Sequence, residues 1–203
     1  MRFEVKNLGF YFKNNQWVLR HVSFAVEAGE RVALVAPSGY GKSTLSRLMA
    51  GYLVPQEGEV LLDGQPLPRR GYCPVQMIYQ HPEKAIDPYW SMQRVLREAW
   101  QPDALFLARM GIQPAWLQRR PHELSGGELQ RFCIARVLGP RTQFLIADEI
   151  STMLDAVTQV QIWTMLLEYL EERQLGCMII THNEALARRV CTRRLDLREL
   201  NRL

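Results

Sequence analysis

Nine residues, Ala36-Pro37-Ser38-Gly39-Tyr40-Gly41-Lys42-Ser43-Thr44, have the types and spacing of a phosphate-binding loop. They follow the apolar run Val32-Ala33-Leu34-Val35 and open a segment with helical spacing, Ser43 to Ala50. Such a loop curls backbone N–H groups around phosphate at a helix start, where the dipole also favours negative charge. Gly39 and Gly41 permit close approach and positive φ, Lys42 sets an ammonium against the β- and γ-phosphates, and the Ser43 hydroxyl suits Mg²⁺. Ser38 and Thr44 complete the phosphate-binding set. The pattern G-x-x-x-x-G-K-[ST] is broken only at its first position, where Ala36 stands. Alanine there is tolerated at negative φ and costs roughly 1 kcal/mol at positive φ.

Two further groups carry chemistry. Asp148-Glu149 ends the apolar run Phe144-Leu145-Ile146-Ala147, and open α/β sheets bind ligands at the carboxyl ends of their strands. An Asp there holds Mg²⁺ directly or through water, and a Glu one residue later can polarise an attacking water as general base. Ser125 with the adjacent glycines Gly126 and Gly127 opens a helix-like segment, a second N–H-rich anion site.

The elements that must position these groups follow from apolar periodicity. Phe3, Val5, Leu8, Phe10 and Phe12, then Val22-Ser23-Phe24-Ala25-Val26, alternate as strands do. Val32–Val35, Val75–Tyr79, Phe144–Ala147 and Cys177–Ile180 read as strands, three of them wholly apolar and so buried. Helical spacing marks Met92–Met110, broken near Pro102, then Leu124–Leu138 and the amphipathic Val157–Leu170. Buried strands alternating with helices predict a largely parallel α/β sheet. The first strands predict an N-terminal antiparallel β subdomain. Residues from about 84 to 138 predict a helical subdomain inserted into the core of one domain spanning 1–203.

Composition bounds the class. The 203 residues, 47% hydrophobic and 23% charged, suffice for a buried core without disulfides or metals. No run approaches the roughly 20 apolar residues of a membrane span. The opening Met1-Arg2-Phe3-Glu4-Val5-Lys6 lacks the apolar core of a signal peptide, so export by that route is not expected. Cys73, Cys133, Cys177 and Cys191 are scattered without a CxxC pair, which predicts buried free thiols rather than bridges or a metal site. The net charge is +4, and from Ala185 onward six arginines face only Asp196 and Glu199. That tail reads either as a patch for nucleic acid or anionic lipid or as a solvated Arg-rich last helix. Leu186, Val190, Leu195, Leu197 and Leu200 interleave with the charges and favour the helix.

Leu124-Ser125-Gly126-Gly127-Glu128-Leu129-Gln130-Arg131, beside such a phosphate loop, resembles the signature of the ATP-binding cassette (ABC) ATPases. The order agrees over nearly the whole chain: phosphate loop, Gln80 after a strand, signature, Asp148-Glu149, Ser151-Thr152-Met153-Leu154-Asp155, then Thr181-His182. The resemblance implies a P-loop NTPase core of ABC type that hydrolyses ATP with Mg²⁺. It implies head-to-tail dimerisation with a second ATPase domain, two ATPs lying between them. Ser125, Gly126 and Gly127 would then act in trans on the γ-phosphate held by the partner, with Asp155 at the dimer interface. Gln80 would sense Mg²⁺ and the attacking water, and His182 would hold the γ-phosphate. Adenine would stack on an aromatic residue after the first strand, Tyr11 or Phe12, of which Phe12 fits better as the last ring before the polar loop.

Ile150 stands where these proteins usually have proline after the catalytic Glu, which is expected to loosen the following loop. Gln80-His81-Pro82, the stretch Asp87-Pro88-Tyr89-Trp90-Ser91-Met92 and the signature look most like the peptide/nickel importer branch. That implies separate transmembrane permease subunits, indirectly a substrate-binding protein, and a peripheral place on the cytoplasmic face of the cell membrane. The second ATPase subunit would be an identical copy or a paralogue. The alternative is an ABC ATPase of a non-transport complex, such as a soluble carbon–phosphorus-cleaving assembly or a nucleic-acid processor; nucleic acid is not expected as a partner. The motifs end near residue 182, and the remaining 20 or so residues leave no room for a C-terminal regulatory domain, the expectation being a bare motor.

Overall fold

A computed structural model of the chain describes residues 1–13 and 16–202. The chain divides into two compact units, Met1–Met77 with Gln143–Asp148 and the chain from Leu170, and Ile78–Thr142 with Glu149–Tyr169.

The first unit carries two sheets. Strands β1 (Arg2–Tyr11) and β2 (Trp17–Glu27) pair antiparallel, with Phe3 opposite Val26 and Val5 opposite Phe24. The register shifts between Val5 and Leu8. There Asn7 takes φ 46° and its N–H donates to Ser23 Oγ at 2.8 Å. This irregularity lets both apolar pairs, Phe3/Val5 and Leu8/Phe10, face the core despite their odd spacing. After β3 (Arg31–Val35) and α1 (Lys42–Met49), strands β4 (Glu57–Leu62) and β5 (Gln65–Pro66) complete this sheet in the order β2-β1-β4-β5.

The second sheet adds β6 (Val75–Ile78), β7 (Phe144–Asp148), β8 (Gly176–Ile180) and β9 (Arg193–Asp196) to β3, in the order β6-β7-β8-β3-β9. The pairs β7/β8, β8/β3 and β3/β9 are parallel. Every residue of β7 and β8 is buried, as a central parallel sheet requires. Phe3 stacks on Phe144 with centroids 4.1 Å apart, joining the two sheets through one aromatic contact. Asp148 lies opposite Ile180, and Leu34 opposite Ile180. The carboxyl ends of β7, β8 and β3 therefore finish level, each at a chemistry-bearing segment.

The second unit is helical. The segment expected as one broken helix forms two short ones, α2 (Met92–Arg97) and α3 (Ala104–Arg109). Ser91 and Asp103 cap them, accepting from Arg94 N at 3.4 Å and Phe106 N at 2.7 Å. Helix α4 (Gly126–Val137) and α5 (Ala156–Glu172) supply the long elements. Trp100 Nε1 donates to Ala135 O at 3.0 Å, its ring meets Phe106 edge-on, and Tyr169 Oη donates to Leu138 O at 2.7 Å. No helix of the described residues is long and apolar enough to cross a membrane.

The Arg-rich end is not the single helix expected from the sequence. It forms α6 (Glu184–Val190), the edge strand β9 and the short α7 (Leu197–Leu200). Sheet pairing overrides the helical spacing: Arg31 N donates to Thr192 Oγ1 at 3.0 Å, Thr192 N to Arg31 O at 2.7 Å, and Arg31 Nε to Val190 O at 2.8 Å. Asn183 and Asp196 start the flanking helices by accepting from Leu186 N and Arg198 N.

Candidate functional site

The loop between β3 and α1 has the geometry its sequence requires. Gly39 and Gly41 lie at φ 83° and 87°, the left-handed region that an L side chain enters only with strain. Ala36 is absent from the positive-φ residues, so its methyl adds no strain. Lys42 is buried, and its Nζ donates to Ala36 O at 2.7 Å and Pro37 O at 3.0 Å, folding the ammonium over the loop. Ser43, Ser38 and Pro37 are exposed, and Thr44 is half-buried.

Asp148, at the end of β7, is buried, and Thr181-His182 follows β8. His182 is exposed, and with Ala36, Pro37 and Thr181 it lines a cavity of about 190 Å³. The other side of that cavity holds Arg194, Asp196 and Arg198, which the sequence reading did not single out. The Arg198 guanidinium grips Asp196, Nε lying 3.0 and 3.1 Å from its two oxygens, and holds that carboxyl down to about 2.

The loop also borders a larger cavity of about 860 Å³, lined by Phe12, Trp17, Gly39, Tyr40 and Asn201 among others. Of the two rings left open by the sequence, Phe12 faces this space, 54% exposed. Tyr11 instead meets Trp17 edge-on at 4.9 Å, and its N–H donates to Gln56 Oε1 at 3.1 Å. Tyr40, also on this cavity, occupies a motif position that carries no residue preference, so the motif gives its ring no role.

In the second unit Gln80 and Glu149 meet: Gln80 Nε2 donates to Glu149 Oε2 at 3.2 Å and reaches Thr152 Oγ1 at 3.4 Å. Glu149 has φ 49°, a left-handed conformation that costs an L residue about 1–2 kcal/mol. The loop after it is tied rather than loosened. Thr152 N and Oγ1 both donate to Glu149 O, Trp163 Nε1 donates to Ser151 Oγ at 3.0 Å, and Ile150 is buried. The isoleucine replaces proline's rigidity with packing.

Ser125 caps α4 by a reciprocal pair, its Oγ accepting from Glu128 N at 3.3 Å while Glu128 Oε2 accepts from Ser125 N at 2.7 Å. Asp155 caps α5 in turn, taking Thr158 N at 3.0 Å and Thr158 Oγ1 at 2.6 Å, bonds that hold its carboxyl below the usual range. A Cβ on Gly127 would lie 2.8 Å from Thr158 Cγ2, so glycine lets the two helix starts approach. Ser125, Gly126, Gly127, Asp155 and Thr158 line one cavity of about 280 Å³. The structure thus joins the signature to Asp155, two motifs 30 residues apart in sequence.

The sequence pattern of the ABC transporter family matches residues 19–152. Among curated proteins, the nickel import ATP-binding protein NikE of Escherichia coli O6:K15:H31 (strain 536 / UPEC) is 35% identical over 205 residues, spanning 91% of this chain and 76% of that protein. Among solved structures, an ATP-binding subunit of an ABC transporter superposes with a TM-score of 0.83 at 24% identity, over 97% of this chain and 85% of the other. A dimeric ATP-binding cassette in a post-hydrolysis state bound to ADP and Pi superposes with a TM-score of 0.80 at 24% identity, over 96% and 93%.

Proposed function

Given that this chain belongs to the ABC transporter family and is an ATPase, we propose that it powers import of a small solute, nickel, another metal or a peptide, through separate permease subunits. The likeness to a nickel import ATP-binding protein supports the direction and the solute class. The observation that carries the reading is that one chain holds two different helix starts built to suit an anion. One is the glycine-bent loop 36–44 with Lys42 folded over it; the other is the capped start of α4 beside Asp155.

The backbone N–H groups of 38–44 and the Lys42 ammonium bind the triphosphate. The donors available for Mg²⁺ are oxygens, the Ser43 hydroxyl, the Asp148 carboxylate and the Gln80 amide oxygen, which is the chemistry a hard cation takes. Held by these residues, Mg²⁺ would supply positive charge to offset the negative charge that develops on the phosphates. Glu149 takes a proton from the attacking water, and Gln80 orients its carboxylate through the 3.2 Å bond. His182 holds the γ-phosphate. Ser125, Gly126 and Gly127 close on the γ-phosphate of a second ATPase subunit, copy or paralogue, with Asp155 at that interface. ATP closes the pair, hydrolysis releases it, and the chain works as a peripheral protein at the cytoplasmic face of the membrane.

The test is twofold. Purified protein should release phosphate from ATP with Mg²⁺ and lose that activity with excess chelator, and tagged protein should bring down integral membrane subunits from detergent-solubilised membranes. Absence of Mg²⁺-dependent hydrolysis would sink the chemistry. Capture of a soluble enzyme assembly or of nucleic acid in place of membrane subunits would sink the transport reading.

A further inference from the structure

The described surface of the first unit keeps few large rings in water, and two of them face the same space. Phe12 is 54% exposed and Tyr40 45% exposed, and both line the cavity of about 860 Å³ together with Trp17. Tyr40 is the residue between the two left-handed glycines of the phosphate loop. Backbone there serves the phosphates, so its side chain is free to do something else. Its ring lines the cavity. Among the described residues that line the cavity none carries a carboxylate side chain, while Lys13 brings a positive charge. The volume lies in the range of ordinary ligand pockets.

The Trp17 ring has two neighbours, and the strand that carries it is clamped. Its ring meets Tyr11 edge-on at 4.9 Å, and Arg20 Cζ lies over it, 4.9 Å from its centroid. Asn201 accepts from Arg20 N at 2.8 Å and donates to Val18 O at 3.0 Å, clamping β2 just beyond Trp17. An aromatic wall fixed this way presents a flat, preorganised face.

We propose that Tyr40 is a base-contacting residue of the nucleotide site, closing with Phe12 and the fixed Trp17 a three-ring pocket for a purine. This rests on reading loop 36–44 as the triphosphate site. A base stacked on aromatic rings gains affinity that a bare phosphate chain cannot gain, so the two ligands separate the base pocket from the loop. The experiment is calorimetric titration of the full chain with Mg-ATP and, separately, with Mg-tripolyphosphate, in wild type, Tyr40→Ser and Tyr40→Phe. The expected result is a roughly tenfold loss of ATP affinity in Tyr40→Ser, with tripolyphosphate affinity shifted less than twofold and ATP affinity restored in Tyr40→Phe. Unchanged ATP affinity in Tyr40→Ser overturns the inference alone, and so does an equal loss for both ligands, which would make Tyr40 a brace for the loop. Failure of the wild type to bind either ligand overturns the triphosphate reading of the loop and this inference with it.

Discussion

Substitution of Gly127 by alanine tests the geometry that joins the signature to Asp155. The added Cβ would stand 2.8 Å from Thr158 Cγ2, roughly 0.7 Å inside the about 3.5 Å at which carbon atoms pack without repulsion. Thr158 is β-branched and helical, so few χ1 rotamers are open to it, and swinging the methyl aside also moves the hydroxyl. Its hydroxyl is also engaged by Asp155 at 2.6 Å. Relief must come from moving α4 against α5 or from breaking that cap. Overpacking costs about 1–3 kcal/mol, and a lost cap about 1 kcal/mol. Gly126→Ala is the internal control, because a Cβ there meets only Leu154 Cδ2 at 4.0 Å, and alanine is the better helix former. Urea unfolding should therefore show Gly127→Ala destabilised by about 2 kcal/mol and Gly126→Ala neutral or more stable. Thr158→Ser removes the clashing methyl and keeps the hydroxyl, so Gly127→Ala/Thr158→Ser should recover at least about 1 kcal/mol relative to additivity. A Gly127→Ala variant as stable as Gly126→Ala, or no coupling in the double variant, would refute the claimed contact.

Glu149→Gln keeps the hydrogen-bonding shape and removes the base, so phosphate release should fall by about 10²–10⁴-fold while ATP still binds; undiminished release would remove Glu149 from the base role. Burial pushes the Cys191 thiol up to about 11 and the Cys133 thiol up to about 12. Both are then almost wholly neutral at pH 8, and alkylation there should run about two orders of magnitude slower at Cys191, and about three at Cys133, than for an ordinary thiol near 8.5, recovering in urea. The sign for stability follows: the neutral thiols' contribution is complete below the unfolded value and is lost as pH rises from there toward 11–12, so the urea midpoint should fall above about pH 9. Asn201→Ala removes the two bonds to Val18 O and Arg20 N and leaves half-buried backbone groups unmet, which should cost about 1–3 kcal/mol; an unchanged urea midpoint would contradict the clamp on β2.

The chemistry was legible in the sequence because it depends on residue types at short spacing. Gly39, Gly41, Lys42 and Ser43 fall within five positions, and the strand before and helix after them are marked by apolar run and periodicity. Central strands were legible for the same reason: β7 and β8 are buried on both faces and read as continuous apolar runs. Elements whose identity depends on a partner were not. β9 is two arginines, a leucine and an aspartate, with neither alternation nor a long apolar run, and it is a strand because β3 offers it a ladder. β4 was missed although Val60-Leu61-Leu62 is apolar and the Asp63-Gly64 turn after it is a hairpin signal. The run is short and its first half polar, and only pairing with Phe3, Val5 and Lys6 on β1 settles it. The contacts between Gln80 and Glu149, and between Gly127 and Thr158, span 69 and 31 residues and leave no local trace.

The Arg-rich tail shows how the same composition changes meaning once the partners are known. Arg193 reaches Glu30 at 2.8 Å and also donates to Ala25 O, so it ties edge strand β9 to the turn after β2. Arg198 is spent on Asp196, and Arg188 on Glu184 at 3.1 Å. Exposed pairs of this kind contribute little stability each. Their effect is positional: a guanidinium fork satisfies a carboxylate and, for Arg193, a backbone carbonyl that the sheet edge would leave to solvent. An arginine committed to a carboxylate is a weaker phosphate ligand, because releasing it breaks a charge-assisted bond. Half of the six tail arginines are committed in this way, so the formal +4 overstates the positive field the tail can offer a polyanion. The arginines follow from building an edge strand and two short helices out of a sequence too polar to bury them.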